Sequence, residues 1–372
     1  MINELIEKYS GMNLFDSFLE RYTENKNIRV IIFGVGDQGM LNALLLKEKG
    51  VSIYAFCDNN ENTWGTVVKG VQVISPNDLR GMLPELVVIN NDSYRDEKRE
   101  QLLSLGIPED NICSFDVLNP IFKNFTKEYI EQHKAEFDLV YELLEDNASQ
   151  ETYIEYLLGV VTGDLDHFRN VAVGDDYFPK DIVPIRNDHV FLDVGAYNGN
   201  TIEDFIKHFP EYEKIYAFEP LASSVKAIQE KHFNNTEIHP VAASNSTGKK
   251  VFYCNDYGAI AMITTILEEG ADRQELHLRT EAIDDAVGDS KVTFIKMDIE
   301  GSEFEALCGA ERAIKNNKPF LAICVYHKRE DLITIVPYLR KLVPEYKFYL
   351  RHHSSTGCDL VLYCVYEGVD KA

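Results

Sequence analysis

No CxxC pair occurs in the sequence, and its seven cysteines stand singly. That spacing gives neither a zinc site nor a disulfide framework. Cys57, Cys254, Cys308 and Cys324 lie in apolar runs, so buried, reduced thiols are expected. Long hydrophobic runs are missing as well: none approaches the roughly 20 residues that a membrane helix needs. The first residues, MINELIEKYSG, have neither the basic nor the apolar region of a signal peptide. A cytoplasmic protein with no membrane partner is expected. Positive charge is scarce, with 37 Lys and Arg against 61 Asp and Glu and a net charge of −24. Such a field repels phosphate backbones and anionic lipid, so nucleic acid is not an expected partner and a small or neutral substrate is favoured. No internal repeat or low-complexity segment stands out.

What the sequence does contain is alternation of strand and helix. With 372 residues, two or three domains are expected. Met1 to about Asn27 has Leu5, Ile6, Leu14, Phe15, Phe18 and Leu19 spaced for one helical face. RVIIFGVGDQG is then a strand entering a glycine turn, MLNALLLKEKG a helix, and VSIYAFCDNN and ELVVIN two further strands. That rhythm is a parallel α/β unit. From Phe125 to Leu144, and again in QETYIEYLLGVV, apolar residues keep helical spacing, with a break at DNAS and a cap expected at Ser149. A second α/β pattern starts at Val190. Its strands are VFLDVG, KIYAFEP, EIHPVAA, KVTFIKMD and FLAICVYH, and it closes with the hairpin YKFYLRHH and CDLVLYCV. GKKVFYCNDYGAIAMITT reads as an extra hairpin between the third and fourth core strands. The expected fold is therefore α/β: two doubly wound Rossmann-like domains joined by a helical connector. The expected boundaries are 1–118 for the first domain, 119–189 for the connector and its loop, and 190–372 for the second domain.

Two glycine turns invite a functional reading. Gly34, Gly36 and Gly39 follow a strand and open a helix, and Asp58 ends the next strand. This is the spacing of a dinucleotide fingerprint, in which the backbone approaches a pyrophosphate and the acid takes ribose hydroxyls. The same turn also packs helix on strand with no ligand, so a bound nucleotide and a structural or docking role both stand. FCDNNENTWG followed by GVQVISPNDL resembles the N-terminal Rossmann-like modules of sugar-modifying and polysaccharide-biosynthesis enzymes. The resemblance implies a nucleotide or nucleotide-sugar as one candidate ligand.

The second turn, LDVGAYNG, departs from that pattern: Asp193 precedes Gly195 and Gly199, and Glu219 closes the next strand. An acid before a glycine turn, an acid ending the second strand and an antiparallel hairpin at the close resemble class I S-adenosylmethionine-dependent methyltransferases. DVGAYNGNT, FEP, IKMDIEGSEFEAL and YLRHH with DLVLYCV resemble the FkbM family of O-methyltransferases, in the expected order across Tyr177 to Tyr366. Tyr197 stands where many relatives carry Asn. The resemblance implies S-adenosylmethionine as cofactor and a hydroxyl acceptor, a sugar or glycan precursor. It places Asp193, Gly195, Ala196, Tyr197, Gly199, Thr201, Glu219, Ala242 and Asp298 around the cofactor, with Ala243 beside Ala242. The glycines remove side chains where the cofactor meets backbone, and an ionised Glu219 has acceptor capacity for two ribose hydroxyls.

Methyl transfer also needs an acceptor oxygen held in line and a group that helps remove its proton. Lys296, Asp298 and Glu300 alternate onto one strand face, and Asp298 and Glu300 resemble the family's paired acids. His327 ends the fifth strand, where such sheets gather ligands, and His352 is a further candidate. Asp298, Glu300 and His327 are thus the expected catalytic set. They are also donor types that a divalent ion accepts, although no metal is expected from the sequence. Tyr177 and Phe178 suit either a cover over the cofactor or the core, and Asn255 to Met262 are expected to shape the acceptor pocket. Two other readings remain: an NAD-dependent oxidoreductase working from the first glycine turn, and a non-enzymatic docking platform. A homo-oligomer is compatible with each of them.

Overall fold

The computed structural model describes residues 11, 13–82, 86–89, 94–116, 125–174, 177–183, 186–254 and 274–368. They fall into two compact units. One is Met1–Gln132 with Ile154–Val171 and Ser355–Gly357, and the other is His133–Tyr153 with Ala172–Ser354 and Cys358–Ala372.

In the first unit, β-branched and aromatic residues of Arg29–Phe33 form the central strand of a six-stranded sheet. Ile53–Cys57 and Leu86–Ile89 pair with it in parallel on either side. Val71–Ile74 and Ile112–Cys113 extend the sheet in parallel, and only the two-residue strand Val67–Val68 at the edge runs antiparallel. Ile31, Phe33, Ala55, Cys57 and Val88 bury one face with Leu79, Leu102 and Ile107. The N-terminal helix is described from Leu14 to Glu24, capped by the Asn13 side chain on Phe15 N. Leu5 and Ile6 lie outside the described residues.

The second unit has a seven-stranded sheet, which positions the site. From one edge its strands are Tyr346–His352, Leu360–Tyr366, Phe320–Cys324, Phe294–Met297, Val190–Val194, Lys214–Phe218 and Thr236–His239. The last five are mutually parallel, whereas Leu360–Tyr366 runs antiparallel between its two neighbours. Val190–Val194 and Phe320–Cys324 are buried on both faces, which accounts for their unbroken apolar sequences. Phe178 is 2% exposed and packs edge-on against Phe191, Phe205, Phe209 and Phe294. Of its two sequence readings, the core is where it lies.

Several local expectations change for identifiable reasons. EIHPVAA is not one strand: Thr236–His239 belongs to the large sheet and Ala242–Ser244 to a separate three-stranded sheet. Pro240, which has no amide to donate, sits at the break. The extra hairpin pairs Gly248–Cys254 with Gln274–Ala282, so its return strand lies beyond the stretch read as a hairpin. Asn255 to Met262 lie outside the described residues. SEFEALCGAERAIKNN forms two helices, Glu303–Cys308 and Glu311–Asn317; at Gly309 between them a Cβ would lie 2.0 Å from the carbonyl oxygen of Ser244, so that position needs glycine. The helix Asn147–Thr162 is capped by Asp146, whose Oδ1 accepts Ser149 N at 2.7 Å, and not by Ser149. The Ser149 hydroxyl instead accepts Leu350 N and the Arg351 guanidinium, both at 2.9 Å.

Candidate active site

A cleft of about 300 Å³ opens in the second unit at the carboxyl ends of the parallel strands. Gly195, Tyr197, Phe218, Glu219, Pro220 and Leu221 line one side. Val241, Ala242, Ala243, Phe252, Leu276 and Leu278 line an apolar slot, and Asp298, Ile299, Glu300 and Ser302 close the remaining side.

The glycine turn is fixed from below and from the side. Gly195 has φ +86°, and a Cβ there would stand 1.9 Å from the carbonyl oxygen of Asp298. Strand Val190–Val194 and strand Phe294–Met297 are adjacent, so this close approach is set by the sheet itself. Gly195→Ala is therefore expected to lower stability by at least about 1–3 kcal/mol from backbone strain alone, measured as a shift in the urea unfolding midpoint. An unchanged midpoint would mean that the turn has room the geometry denies. Gly195 N and Ala196 N both donate to the Phe218 carbonyl, at 3.0 and 3.1 Å, which ties the turn to the next strand. Tyr197 holds the left-handed region at φ +45°, a conformation that Asn adopts more readily than Tyr.

Glu219 is 6% exposed, yet it lines the cleft. Its Oε2 accepts Tyr197 N and its Oε1 accepts Leu221 N, each at 2.9 Å. Burial pushes its pKa up, and the amides of Leu221 and Tyr197 counter that push. Each oxygen keeps a second lone pair for a donor in the cleft. The carboxylate is thus pre-oriented by two backbone amides.

Asp193 does not reach the cleft. It is fully buried under the turn, and Lys296 Nζ lies 3.0 Å from its Oδ1 and donates to the Gly195 carbonyl at 2.8 Å. Against the effect of burial, Asp193 and Asp298 hold the Lys296 ammonium above its ordinary pKa. Asp193, which the resemblance places around the cofactor, has its charge partner within the chain.

Asp298 and Glu300 do meet His327, but not by strand alternation. The strand ends at Met297, and Glu300 reaches the cluster from a left-handed residue at φ +57°. His327 Nε2 lies 3.4 Å from Asp298 Oδ1 and 3.2 Å from Glu300 Oε2, and its Nδ1 lies 2.9 Å from Glu303 Oε1. Burial alone would lower the His327 pKa, but Glu303 and Glu300 outweigh it and raise the ring well above an ordinary histidine. Burial raises Glu300. Asp298 is held below the usual carboxylate range, against its burial, by Lys296, His327 and the Tyr177 hydroxyl. Tyr177 donates to Asp298 Oδ2 at 2.9 Å, so its ring belongs to this cluster.

Of the other sequence candidates, Ala242 lines the slot, whereas Ala196, Gly199 and Thr201 shape the turn and the following helix without lining the cleft. His352 is fully buried in its strand and is not a lining residue. Glu303 carried no sequence signal beyond its place in a helical run; only the fold shows it to be fully buried beside His327. In the first unit, Gly34, Gly36, Gly39 and Asp58 do form one turn. A Cβ at Gly39 would stand 2.0 Å from the Gly34 carbonyl oxygen, and Asp58 accepts Val35 N and Asn60 N at 2.9 and 2.8 Å. That acid ties the glycine turn to its own loop, as Glu219 does.

The parallel sheet with an antiparallel strand inserted near its edge, and the cleft at its glycine turn, are those of the class I methyltransferase fold, and the protein is a methyltransferase. More narrowly, the chain carries a methyltransferase FkbM domain, matched over residues 193–350. Residues 26–113 match the domain described as C2185-like, N-terminal. The structure is similar to the methyltransferase FkbM of Methylobacillus flagellatus KT, with a TM-score of 0.70 at 22% identity, covering 95% of this chain and 99% of that one. It also overlaps UDP-D-quinovosamine 4-dehydrogenase from Vibrio fischeri, with a TM-score of 0.20 at 19% identity over 24% of this chain and 77% of that one. Aeropyrum pernix fibrillarin with natively bound S-adenosyl-L-methionine gives a TM-score of 0.31 at 9% identity, covering 50% and 71% of the two chains. No curated protein matches the sequence. No helix among the described residues is long and apolar enough to cross a membrane.

Proposed function

We propose that the protein is an S-adenosylmethionine-dependent O-methyltransferase that acts on a hydroxyl of a sugar or glycan precursor in the cytoplasm. The observation that carries this reading is Glu219, a buried carboxylate oriented by two backbone amides at the mouth of an apolar slot, opposite a cluster of ionisable groups. The donor set suits the cofactor. Glu219 offers lone pairs to two ribose hydroxyls, and Leu221, Val241, Ala242 and Phe252 flank a flat apolar ring. Gly195 and Tyr197 present turn backbone to the amino-acid end, and Asp193 acts through that turn from below. When bound, S-adenosylmethionine supplies an electrophilic methyl group on a sulfonium, which passes to the acceptor oxygen and leaves a neutral thioether.

The chain's own part is positioning and proton removal. Asp298 and Glu300 face the cleft, and His327 lies behind them. The acceptor O–H gives its proton to this cluster as the new C–O bond forms. Glu300 lines the cleft, and burial raises its affinity for a proton. The sugar part of the reading is supported by the resemblance of both modules to enzymes of sugar and glycan modification. In this scheme residues 190–372 form the catalytic domain and 119–189 the connector. Residues 1–118 form an N-terminal domain that holds a nucleotide or nucleotide-sugar, or docks a partner, through the turn of Gly34, Gly36, Gly39 and Asp58.

Two measurements test it. Glu219→Ala is expected to weaken S-adenosylmethionine binding by about 1.5–3 kcal/mol, the worth of hydrogen bonds to a charged group, with folding largely intact. Calorimetry showing unchanged affinity would remove Glu219 from the site. Incubating hydroxylated sugars with protein and S-adenosylmethionine should yield products heavier by one methylene unit; transfer to nitrogen or carbon acceptors alone would refute O-methylation.

A further inference from the structure

The ion pairs around His327 also have the spacing of metal ligands. Asp298, Glu300 and His327 each present one ligand atom, and these atoms lie within 4.8 Å of one another. His327 Nε2 stands 3.4 Å from Asp298 Oδ1 and 3.2 Å from Glu300 Oε2. Bonds of about 2.0–2.2 Å to one ion place neighbouring ligand atoms roughly 3.0–3.5 Å apart, from octahedral to tetrahedral angles. Asp298 Oδ1, Glu300 Oε2 and His327 Nε2 are all buried atoms that meet at the imidazole nitrogen, and the His327 side chain is only 5% exposed. Three buried ligand atoms therefore lie at ligand spacing of one another.

The surroundings have the form of an outer coordination shell. The second ring nitrogen of His327 faces Glu303 Oε1 at 2.9 Å, and that oxygen is itself fixed by Ile299 N at 2.8 Å. Glu303 is fully buried. The oxygen of Asp298 that does not face His327 accepts the Tyr177 hydroxyl at 2.9 Å. A carboxylate behind a ligating imidazole, and a hydrogen bond on the free oxygen of a ligating carboxylate, are the contacts that orient metal ligands.

We propose that Asp298, Glu300 and His327 bind one divalent transition-metal ion at the acceptor end of the cleft, with Glu303 and Tyr177 as positioning residues. One imidazole with two carboxylates suits Mn²⁺ or Zn²⁺ better than Mg²⁺ or Ca²⁺, which prefer all-oxygen sites. Asp298 and Glu300 line the cleft, so the remaining coordination positions face the acceptor. The ion's use rests on the methyltransferase reading: a bound acceptor hydroxyl becomes more acidic, and its proton leaves to cleft water when His327 is engaged as a ligand.

The test uses the full chain, stripped with EDTA and titrated with MnCl₂ in a calorimeter, with MgCl₂ in parallel. One saturable Mn²⁺ site per chain is expected, with Mg²⁺ weaker. Glu303→Gln and, independently, Tyr177→Phe should weaken Mn²⁺ binding by about 10–100-fold without changing the stoichiometry, as outer-shell changes do. If Glu303→Gln does not fold, Tyr177→Phe carries the test. The absence of a saturable site, or a site untouched by Glu300→Gln, overturns the proposal. S-adenosylmethionine is titrated into the same stripped protein. Cofactor binding with no Mn²⁺ site rejects the ion alone, whereas Mn²⁺ binding with no cofactor binding supports the ion and rejects the cofactor reading.

Discussion

Lys296→Met is expected to lower the stability of the protein by about 3–5 kcal/mol, and a second change, Asp193→Leu, to restore most of that loss. The pair lies under the glycine turn with side chains 2% and 0% exposed. Removing the ammonium strands a carboxylate where water cannot reach it, whereas replacing both charges with apolar groups removes the desolvation penalty along with the attraction. Urea unfolding of the single and double variants measures this directly. A single variant as stable as the parent would show that the pair is not held ionised. The same ammonium grips the Gly195 carbonyl, so the double variant should keep its fold yet bind S-adenosylmethionine less well than the parent. Stability and cofactor affinity then separate, as expected of a group that positions the turn from outside the cleft.

Lys296 also shows how far the sequence could be read. Its place on a strand facing the glycine turn follows from alternation, but its partner comes from a neighbouring strand far away in the chain. Only the register that sets Lys296 opposite Asp193 reveals the pair. The α/β alternation, the succession of strands along the chain and the terminal hairpin are legible because apolar runs bounded by glycine and acid mark parallel strands entering turns. Glu219 was legible for the same reason, since an acid that ends the second strand must face the cleft.

What stayed hidden depends on contacts across the fold. Alternation places Glu300 on the strand face, but the strand stops three residues earlier and a left-handed residue brings it to the cluster. Tyr177 looked equally suited to core or cofactor; its hydroxyl binds Asp298, a residue 121 positions away in sequence. The need for glycine at 309 is hidden in the sequence because the Ser244 carbonyl that a side chain there would meet belongs to a different element.

His327 is the residue on which the cluster turns, and His327→Ala is expected to cut turnover by about 10²–10⁴-fold, roughly 3–5 kcal/mol of barrier. The ring stands within 3.4 Å of both cleft-facing acids and 2.9 Å from buried Glu303. Without it three carboxylates lose their common partner, and the proton-accepting arrangement is lost whether the ring shares the proton or holds an ion. Because the ring does not line the slot beside Glu219, S-adenosylmethionine affinity should change little. That split between turnover and cofactor binding separates a chemical role from a merely structural one. A ring that only helped to bind the acceptor would give a loss recovered by raising acceptor concentration, since uniform binding is lost through KM and not kcat. Near-normal turnover at saturating acceptor would move the proton's path away from His327 and leave Asp298 as the next residue to replace.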